Sequence, residues 1–323
     1  MAELQSVWGW QPALYLFLGG MGAGAFIMAA ILFFYDRESN KRIIGVAAWA
    51  ATVCLIVGLL LLLSELTNPL RGMLMWQSFS NTASWMTFGA WVVFAAVVVF
   101  GVMAVLSTER WVKPVSKKWK GYATVRKRLR PVLAVVGMAL GLCVAVYTGV
   151  LLMSVPGVPL WNTVLLPCLF TVSALDTGVA LVEIVAASPK RAALSAKTHR
   201  LLETSVVVLV VLEVAVLAAF VLAMQGSDAG SAVGATAAAS ARLLTEGPLA
   251  LAFWLLVGAC GLVLPLVMAV YGMIAHRKKK QTRPGMLVGA AGALVGGCAL
   301  RFLVLMAGLH ADVVAGAVAK MVA

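Results

Sequence analysis

The run IIGVAAWAATVCLIVGLLLLLS, from Ile43 to Ser64, decides the fold class because its 22 positions contain no charged residue. A bilayer core of roughly 30 Å needs about 20 apolar residues to be crossed by an α-helix, so this run predicts a transmembrane helix. Seven further stretches have similar length and character. The eight predicted helices lie near residues 12–35, 43–64, 84–106, 132–154, 164–187, 204–225, 248–275 and 286–309.

The composition agrees with these eight helices. Hydrophobic residues make up 63% of the chain and charged residues 11%, whereas about a quarter of a typical soluble domain is charged. The tract GSDAGSAVGATAAAS at 226–240 is typical of a flexible or weakly helical connector. No segment between the helices is long enough to fold alone. The sequence therefore predicts a single all-α integral membrane domain over 1–323, built as two four-helix bundles.

The placement of the basic residues predicts the orientation. The formal net charge is +13, and 21 of the 25 Lys and Arg residues lie in the loops after the first, third, fifth and seventh helices. Loops rich in Lys and Arg remain cytoplasmic. Both termini are therefore predicted on the extracytoplasmic side. Because the charge follows alternate loops, it does not indicate nucleic-acid binding.

Cysteine and histidine patterns bear on metal and haem. The five cysteines lie inside predicted helices and form no C-x-x-C pair, so we expect neither metal binding nor disulfides. His199 and His276 lie in predicted cytoplasmic loops and His310 at an outer helix end. A transmembrane haem needs axial ligands on facing helices, usually histidines. The sequence therefore predicts no haem and no metal in this chain.

Ionisable residues inside the predicted helices or at their ends are functional candidates, since each costs several kcal/mol to insert. They are Glu65, Asp176, Glu183, Glu203, Glu213 and Arg301. Asp176 and Glu183 are two helical turns apart and share a face, so a row of carboxylates is one hypothesis for a proton path. The other is that Asp176 or Glu213 pairs with Arg301 or a serine as a structural bridge. The residues leave both open.

Six segments carry a family resemblance. They read WGWQPALYLFLGGMGAGAF at 8–26, LSELTNPLR at 63–71, SNTASWMTFGAW at 80–91, YTGVLLMSVPGVPLWNT at 147–163, LPCLFTVSALDTGVAL at 166–181 and LRFLVLMAG at 300–308. In this order, on eight helices, they resemble the NrfD/PsrC family, the quinone-reactive membrane subunits of bacterial respiratory molybdoenzyme complexes such as polysulfide reductase. The resemblance spans nearly the whole chain.

The resemblance implies a membrane anchor in the bacterial cytoplasmic membrane that exchanges electrons between menaquinone or ubiquinone and partner subunits. A ferredoxin-like subunit with four iron–sulfur clusters would dock on the outer face, and a molybdopterin-type catalytic subunit would lie beyond it. The family's quinone pocket draws on a polar residue in helix one, an acid at the outer end of helix two and a tyrosine in helix four. These roles fall on Tyr15, Glu65 and Tyr147.

Other outer residues are candidates for the same pocket. The side chains of Trp76, Trp85 and Trp161 would line the pocket around the quinone ring, although outer tryptophans also form the interfacial aromatic belt. Arg71 would pair with Glu65 or anchor the iron–sulfur partner. A competing hypothesis is an ion or small-molecule secondary transporter, motivated by the intramembrane acids. Against it stands the lack of paired broken helices at mid-membrane.

Overall fold

The computed structural model describes residues 3–4, 9–65, 85–109, 112, 121–155, 157–188, 195–227, 230–277 and 283–311. Within them, eight helices are long and apolar enough to cross a membrane, which confirms the all-α membrane fold. These eight are α1 (Trp10–Tyr35), α2 (Arg37–Glu65), α3 (Trp85–Ser107), α4 (Tyr122–Met153), α5 (Leu165–Ala187), α6 (Ala196–Gln225), α8 (250–277) and α9 (Arg283–Met306). A shorter helix, α7 (Ala232–Thr245), precedes α8.

Several helices begin before their predicted starts at the end that holds the basic loops. Helix α4 begins at Tyr122 and α6 at Ala196, where the sequence predicts starts at 132 and 204. The apolar pattern marks only the lipid-facing part of a helix, whereas capping sets its first residue. Ser195 caps α6, because its hydroxyl oxygen accepts a hydrogen bond from the Thr198 backbone N–H at 3.1 Å.

The eight long helices form two four-helix bundles. Helices α1 to α4 pack as one ring and α5, α6, α8 and α9 as the other, with α1 against α5 at their junction. Gly24 and Gly178 make this junction close, since a Cβ on Gly178 would overlap the backbone of Gly24. Small residues let helix backbones approach in this way inside a membrane.

The interior of the first bundle is filled at mid-height by aromatic rings. Phe26 and Phe100 stack with their centroids 3.8 Å apart and their planes at 4°. Gly137 on α4 provides space for the Phe26 ring, which a Cβ there would overlap. This layer lies about 16 Å along α1 from Tyr15, so the two ends of the first bundle are separate environments.

Helix α8 contains a π-helical section at Phe253–Val263. The section ends beside Pro265, which has no N–H to continue an α-helical hydrogen-bond ladder. Within it, Gly261 lies against Gly296 of α9, and a Cβ on Gly261 would come within 2.7 Å of the Gly296 Cα. The wider turns of α8 therefore pack directly on α9.

The end of the molecule opposite the basic loops is held by short contacts. Strands β1 (Glu3–Leu4) and β2 (Leu309–His310) pair antiparallel. In the loop between α4 and α5, Gly157 has φ = 90° and its carbonyl accepts a hydrogen bond from the Ala311 N–H at 3.0 Å. Ala311, just after β2, is thereby fixed to the α4–α5 loop.

Candidate functional site

A cavity of about 90 Å³ lies inside the first bundle, at the end away from the basic loops. All four helices of that bundle line it, and its walls are mainly leucine, valine, glycine and alanine side chains. Its polar lining consists of Tyr15 on α1 and of Tyr147 and Thr148 on α4. The structure thus brings together two tyrosines that are separated by more than 130 residues in the sequence.

Glycine on the neighbouring helix α3 determines where the Tyr147 ring lies. A Cβ on Gly89 would overlap Cζ, Cε1 and the hydroxyl oxygen of Tyr147. The ring therefore occupies the space that a side chain at position 89 would take. Only glycine leaves this space open.

The hydroxyl groups in the cavity differ in their hydrogen bonding. The Thr148 hydroxyl donates to the Ala145 carbonyl at 2.7 Å, within its own helix. The Tyr147 hydroxyl has no hydrogen-bond partner in the part of the chain that the structure describes. Tyr147 is half-buried, so the cavity has a polar group available to a ligand.

The remaining outer candidates are placed as follows. Glu65 ends α2 and Trp85 begins α3, and at these two positions the structure describes only the backbone. Arg71 and Trp76 lie outside the described residues. Trp161 does not line the described cavity: it is fully buried elsewhere, and its indole Nε1 donates to the Val304 carbonyl at 2.9 Å.

A second polar group lies in the second bundle around Arg301, which is fully buried. Its Nη1 donates to the Ser173 hydroxyl oxygen at 2.8 Å and to the Gly297 carbonyl at 2.7 Å. Glu213 lies near Ser173 and close enough to Arg301 for their charges to interact. The structure therefore joins Arg301, Ser173 and Glu213 into one unit.

Three further acids continue from this unit toward the basic end. Asp176 lies within electrostatic range of Glu213 and Glu183, and Glu183 within range of Glu203. One carboxylate oxygen of Asp176, Oδ1, has no hydrogen-bond partner among the described residues. The four acids form a continuous row through the second bundle, whereas Glu65 belongs to the other bundle.

Two cavities lie at the lower end of this row. A small space of about 10 Å³ touches both Glu183 and Glu203, which is close to the room that one water molecule needs. Glu203 also lines an open groove of about 430 Å³ with Lys197, His199 and Arg200. It therefore stands between the groove and the buried acids.

The sequence analysis missed His199 as a partner of this row. Its expected place in a loop is wrong, since it lies in the first turns of α6, with Nδ1 3.1 Å from Glu203 Oε2. Spacing of i and i+4 on one helix, between His199 and Glu203, was the available signal. Glu203 is also held from α8, where a Cβ on Gly272 would overlap its Oε1.

Comparisons with known proteins agree with the resemblance. A family model described as "Polysulphide reductase, NrfD" matches residues 2–313. The C subunit of polysulfide reductase from Wolinella succinogenes is 32% identical over 312 residues, which cover 94% of each protein. Protein NrfD of Escherichia coli is 26% identical, over 94% of this chain and 95% of that protein. The chain is thus a multi-pass membrane protein that belongs to the NrfD polysulphide reductase family.

Proposed function

We propose that this chain is the quinone-reactive membrane anchor of a respiratory oxidoreductase and binds a quinone head group in the Tyr15–Tyr147 cavity. The observation that carries the proposal is the pair of tyrosines in an otherwise apolar cavity of about 90 Å³. Ligand sites are typically apolar with a few placed polar groups. A ring with two carbonyl oxygens matches that pattern.

The chemistry of the cavity fits this ligand class. A quinone, when bound, accepts or gives up two electrons together with two protons. The Tyr147 hydroxyl would donate a hydrogen bond to one carbonyl oxygen, and Tyr15 lines the same cavity from the neighbouring helix α1. A positioned hydroxyl can pass a proton to or from the atom it bonds. The leucines and valines exclude water, which strengthens such hydrogen bonds.

The electron partner follows from the family. The polysulfide reductase C subunit is, by its name, one part of a larger oxidoreductase. We therefore propose an iron–sulfur subunit of the four-cluster ferredoxin type on the extracytoplasmic face, with a molybdopterin-type catalytic subunit beyond it. The tyrosine cavity lies at the end of the bundle predicted to face that side, in the bacterial cytoplasmic membrane. Glu65, Arg71, Trp76 and Trp85 stay candidates for the wall nearest the partner.

Conservative tyrosine variants test the quinone site. In the purified complex, Tyr147→Phe and Tyr15→Phe should each lower quinol turnover by about 10²-fold, since one positioned proton donor contributes about that much. Tyr271→Phe is the matched control, because Tyr271 is on α8 and 52% exposed on the outside of the second bundle. Full quinol turnover in the double variant Tyr15→Phe/Tyr147→Phe would refute this site.

We further propose that the acid row carries protons from the basic side into the membrane. The support is the order of the acids: Glu203 borders the groove, Glu183 shares a water-sized space with it, and Asp176 and Glu213 follow within electrostatic range. Ser173 accepts a hydrogen bond from Arg301 and lies near Glu213, so its hydroxyl would be the proton carrier at the upper end of the row. Arg301 would then position the Ser173 hydroxyl.

Proton coupling is measured with the complex in liposomes. Glu203→Gln should lower the number of protons translocated per electron while quinol turnover with an uncoupler stays near that of the unmodified complex, because Glu203 is remote from the tyrosine cavity. Glu246→Gln is the control, since Glu246 is exposed after α7. If Glu203→Gln and Glu213→Gln both leave proton stoichiometry unchanged, the acids are structural bridges and the path is refuted.

The transporter alternative predicts a different result. If the protein alone, without partner subunits, moves an ion or solute across liposomes, the buried acids serve transport. The electron-transfer proposal predicts no such flux without a quinol and an electron acceptor.

A further inference from the structure

A groove of about 520 Å³ lies at the basic end of the first bundle, between the start of α2 and the end of α3. The groove and the tyrosine cavity lie at opposite ends of the first bundle, and no residue of the acid row lines the groove. The inference drawn from the groove does not depend on the proposed function. Its polar lining comes from Lys41, Arg42, Trp49, Ser107, Thr108 and Glu109.

A tryptophan fixes the shape of this groove. The Trp49 indole Nε1 on α2 donates to the Thr108 hydroxyl oxygen, just past α3, at 2.9 Å. Thr108 in turn donates to the Ala104 carbonyl at 2.8 Å. Tryptophan prefers the depth at which lipid head groups meet the hydrocarbon. The groove is therefore held open at head-group level.

Cations outnumber acids around the groove. Arg130 on α4 is 1% exposed and donates to the hydroxyl oxygen of Ser107, a lining residue, at 3.2 Å. Its Nε has no hydrogen-bond partner among the described residues. Arg126 donates from Nε to the Leu106 carbonyl at 2.7 Å. In the described part of the chain, neither arginine has a carboxylate oxygen within 4.0 Å.

The carboxylates at the groove do not remove this excess. Lys41 forms an ion pair with Glu38 on α2, and Glu109 is the one acid among the described lining residues. Arg42, Arg126 and Arg130 therefore leave an excess of positive charge at the groove. The acid that acts electrostatically on Arg130, Glu38, is already paired with Lys41. The remaining positive charge would stabilise an anion in the groove.

We infer that this groove binds the phosphate head group of an anionic glycerophospholipid. Basic pockets between membrane helices on the cytoplasmic side are suited to such head groups. Lys41 and Arg42 would contact the phosphate oxygens, with Arg130 acting through Ser107. Below them, Val46 and Trp49 are each 36% exposed and Val53 is 52% exposed on the outside of α2, which gives the acyl chains an apolar surface.

This apolar continuation favours a lipid over a free anion. Inorganic phosphate would use only the polar end of the groove, whereas a phospholipid covers the polar end and the valines together. Burying apolar surface adds roughly 25 cal/mol per Å². The lipid should therefore bind more tightly than its isolated phosphate.

Native mass spectrometry of the purified full-length protein in detergent tests the inference. Added phosphatidylglycerol should stay bound at lower concentrations than phosphatidylcholine, and millimolar inorganic phosphate should not displace it. Lys41→Gln/Arg42→Gln should weaken phosphatidylglycerol binding by about tenfold or more, because each basic residue near a membrane surface contributes about 1 kcal/mol. Lys41 and Arg42 are exposed at the groove, so the change spares the core.

A matched control separates the groove from general surface charge. Lys127→Gln/Arg128→Gln removes the same charge from exposed residues on α4 that do not line the groove, and it should change affinity by less than about twofold. The inference is overturned if both double variants weaken binding equally, if Lys41→Gln/Arg42→Gln has no effect, or if phosphatidylcholine binds as well as phosphatidylglycerol. Displacement by inorganic phosphate would overturn the lipid as occupant.

Discussion

Replacing Gly89 with alanine is the sharpest perturbation of the tyrosine cavity, because it removes no polar group and acts only on the position of the Tyr147 ring. The added Cβ would overlap the Cζ, Cε1 and hydroxyl oxygen of Tyr147. Carbon atoms pack at about 3.5–4.0 Å, so the ring has to move by roughly 2 Å. The hydroxyl would leave the cavity wall on which the proposed function depends.

The expected loss follows from that displacement. A misplacement of about 1 Å at a reacting centre costs about 10²-fold in rate, so Gly89→Ala should lower quinol turnover by about 10²-fold or more. Overpacking also costs about 1–3 kcal/mol of stability, which a folded membrane protein can tolerate. The assay is quinol turnover of the purified complex, with the melting temperature measured on the same sample.

Gly101→Ala on the same helix provides the control. A Cβ there would meet only the Thr52 Cγ2, at 3.7 Å, an ordinary contact. It should leave turnover within about twofold of the unmodified complex. If Gly89→Ala folds and turns over quinol as fast as Gly101→Ala, the Tyr147 position has no part in the reaction and the reasoning is refuted.

Two further substitutions test the packing that supports the cavity and the second bundle. Gly178→Leu should abolish folded protein, because its side chain would collide with the backbone of Gly24; yield in detergent checks this against Gly258→Ala, whose Cβ would meet only a Trp254 ring carbon at 3.5 Å. Trp161→Phe should lower unfolding free energy by about 1–3 kcal/mol, because the Val304 carbonyl loses its donor. A melting curve measures that loss, and unchanged quinol turnover in the folded fraction would separate Trp161 from the cavity.

The eight helices were predictable because the bilayer imposes a length and a composition on each of them. The family was also predictable from the six segments, and the matching family model confirms it. Helix starts at the basic end were not predictable from hydropathy, because the first turns of α4 and α6 contain Lys and Arg residues, which are good helix formers.

The tract at 226–240 shows that composition alone does not predict every helix. It is low in apolar side chains, yet its second half lies within α7, which Ser231 caps by accepting from the Gly234 N–H at 3.0 Å. Ser240 is fully buried on this helix. Alanine has the strongest helix propensity, and packing against α6 supplies the rest.

The site depended on contacts between distant parts of the sequence. The sequence and the resemblance pointed to Tyr15 and Tyr147, but the space that Gly89 leaves for the ring arises only when α3 packs on α4. From the sequence, Trp161 is typical of the aromatic belt at a membrane interface. Only the fold shows the hydrogen bond from its indole to the Val304 carbonyl. The Arg301 unit likewise joins α5, α6 and α9, whose sequence separation hides it.

Photolabelling with an azidoquinone measures the central claim most directly. The purified complex is illuminated with the probe, and the labelled peptides are identified by mass spectrometry, with excess unlabelled quinol as competitor. The account predicts competed label on α1 or α4 around Tyr15 and Tyr147, and its loss in Gly89→Ala but not in Gly101→Ala. Competed label confined to the second bundle, unchanged by Gly89→Ala, would contradict it.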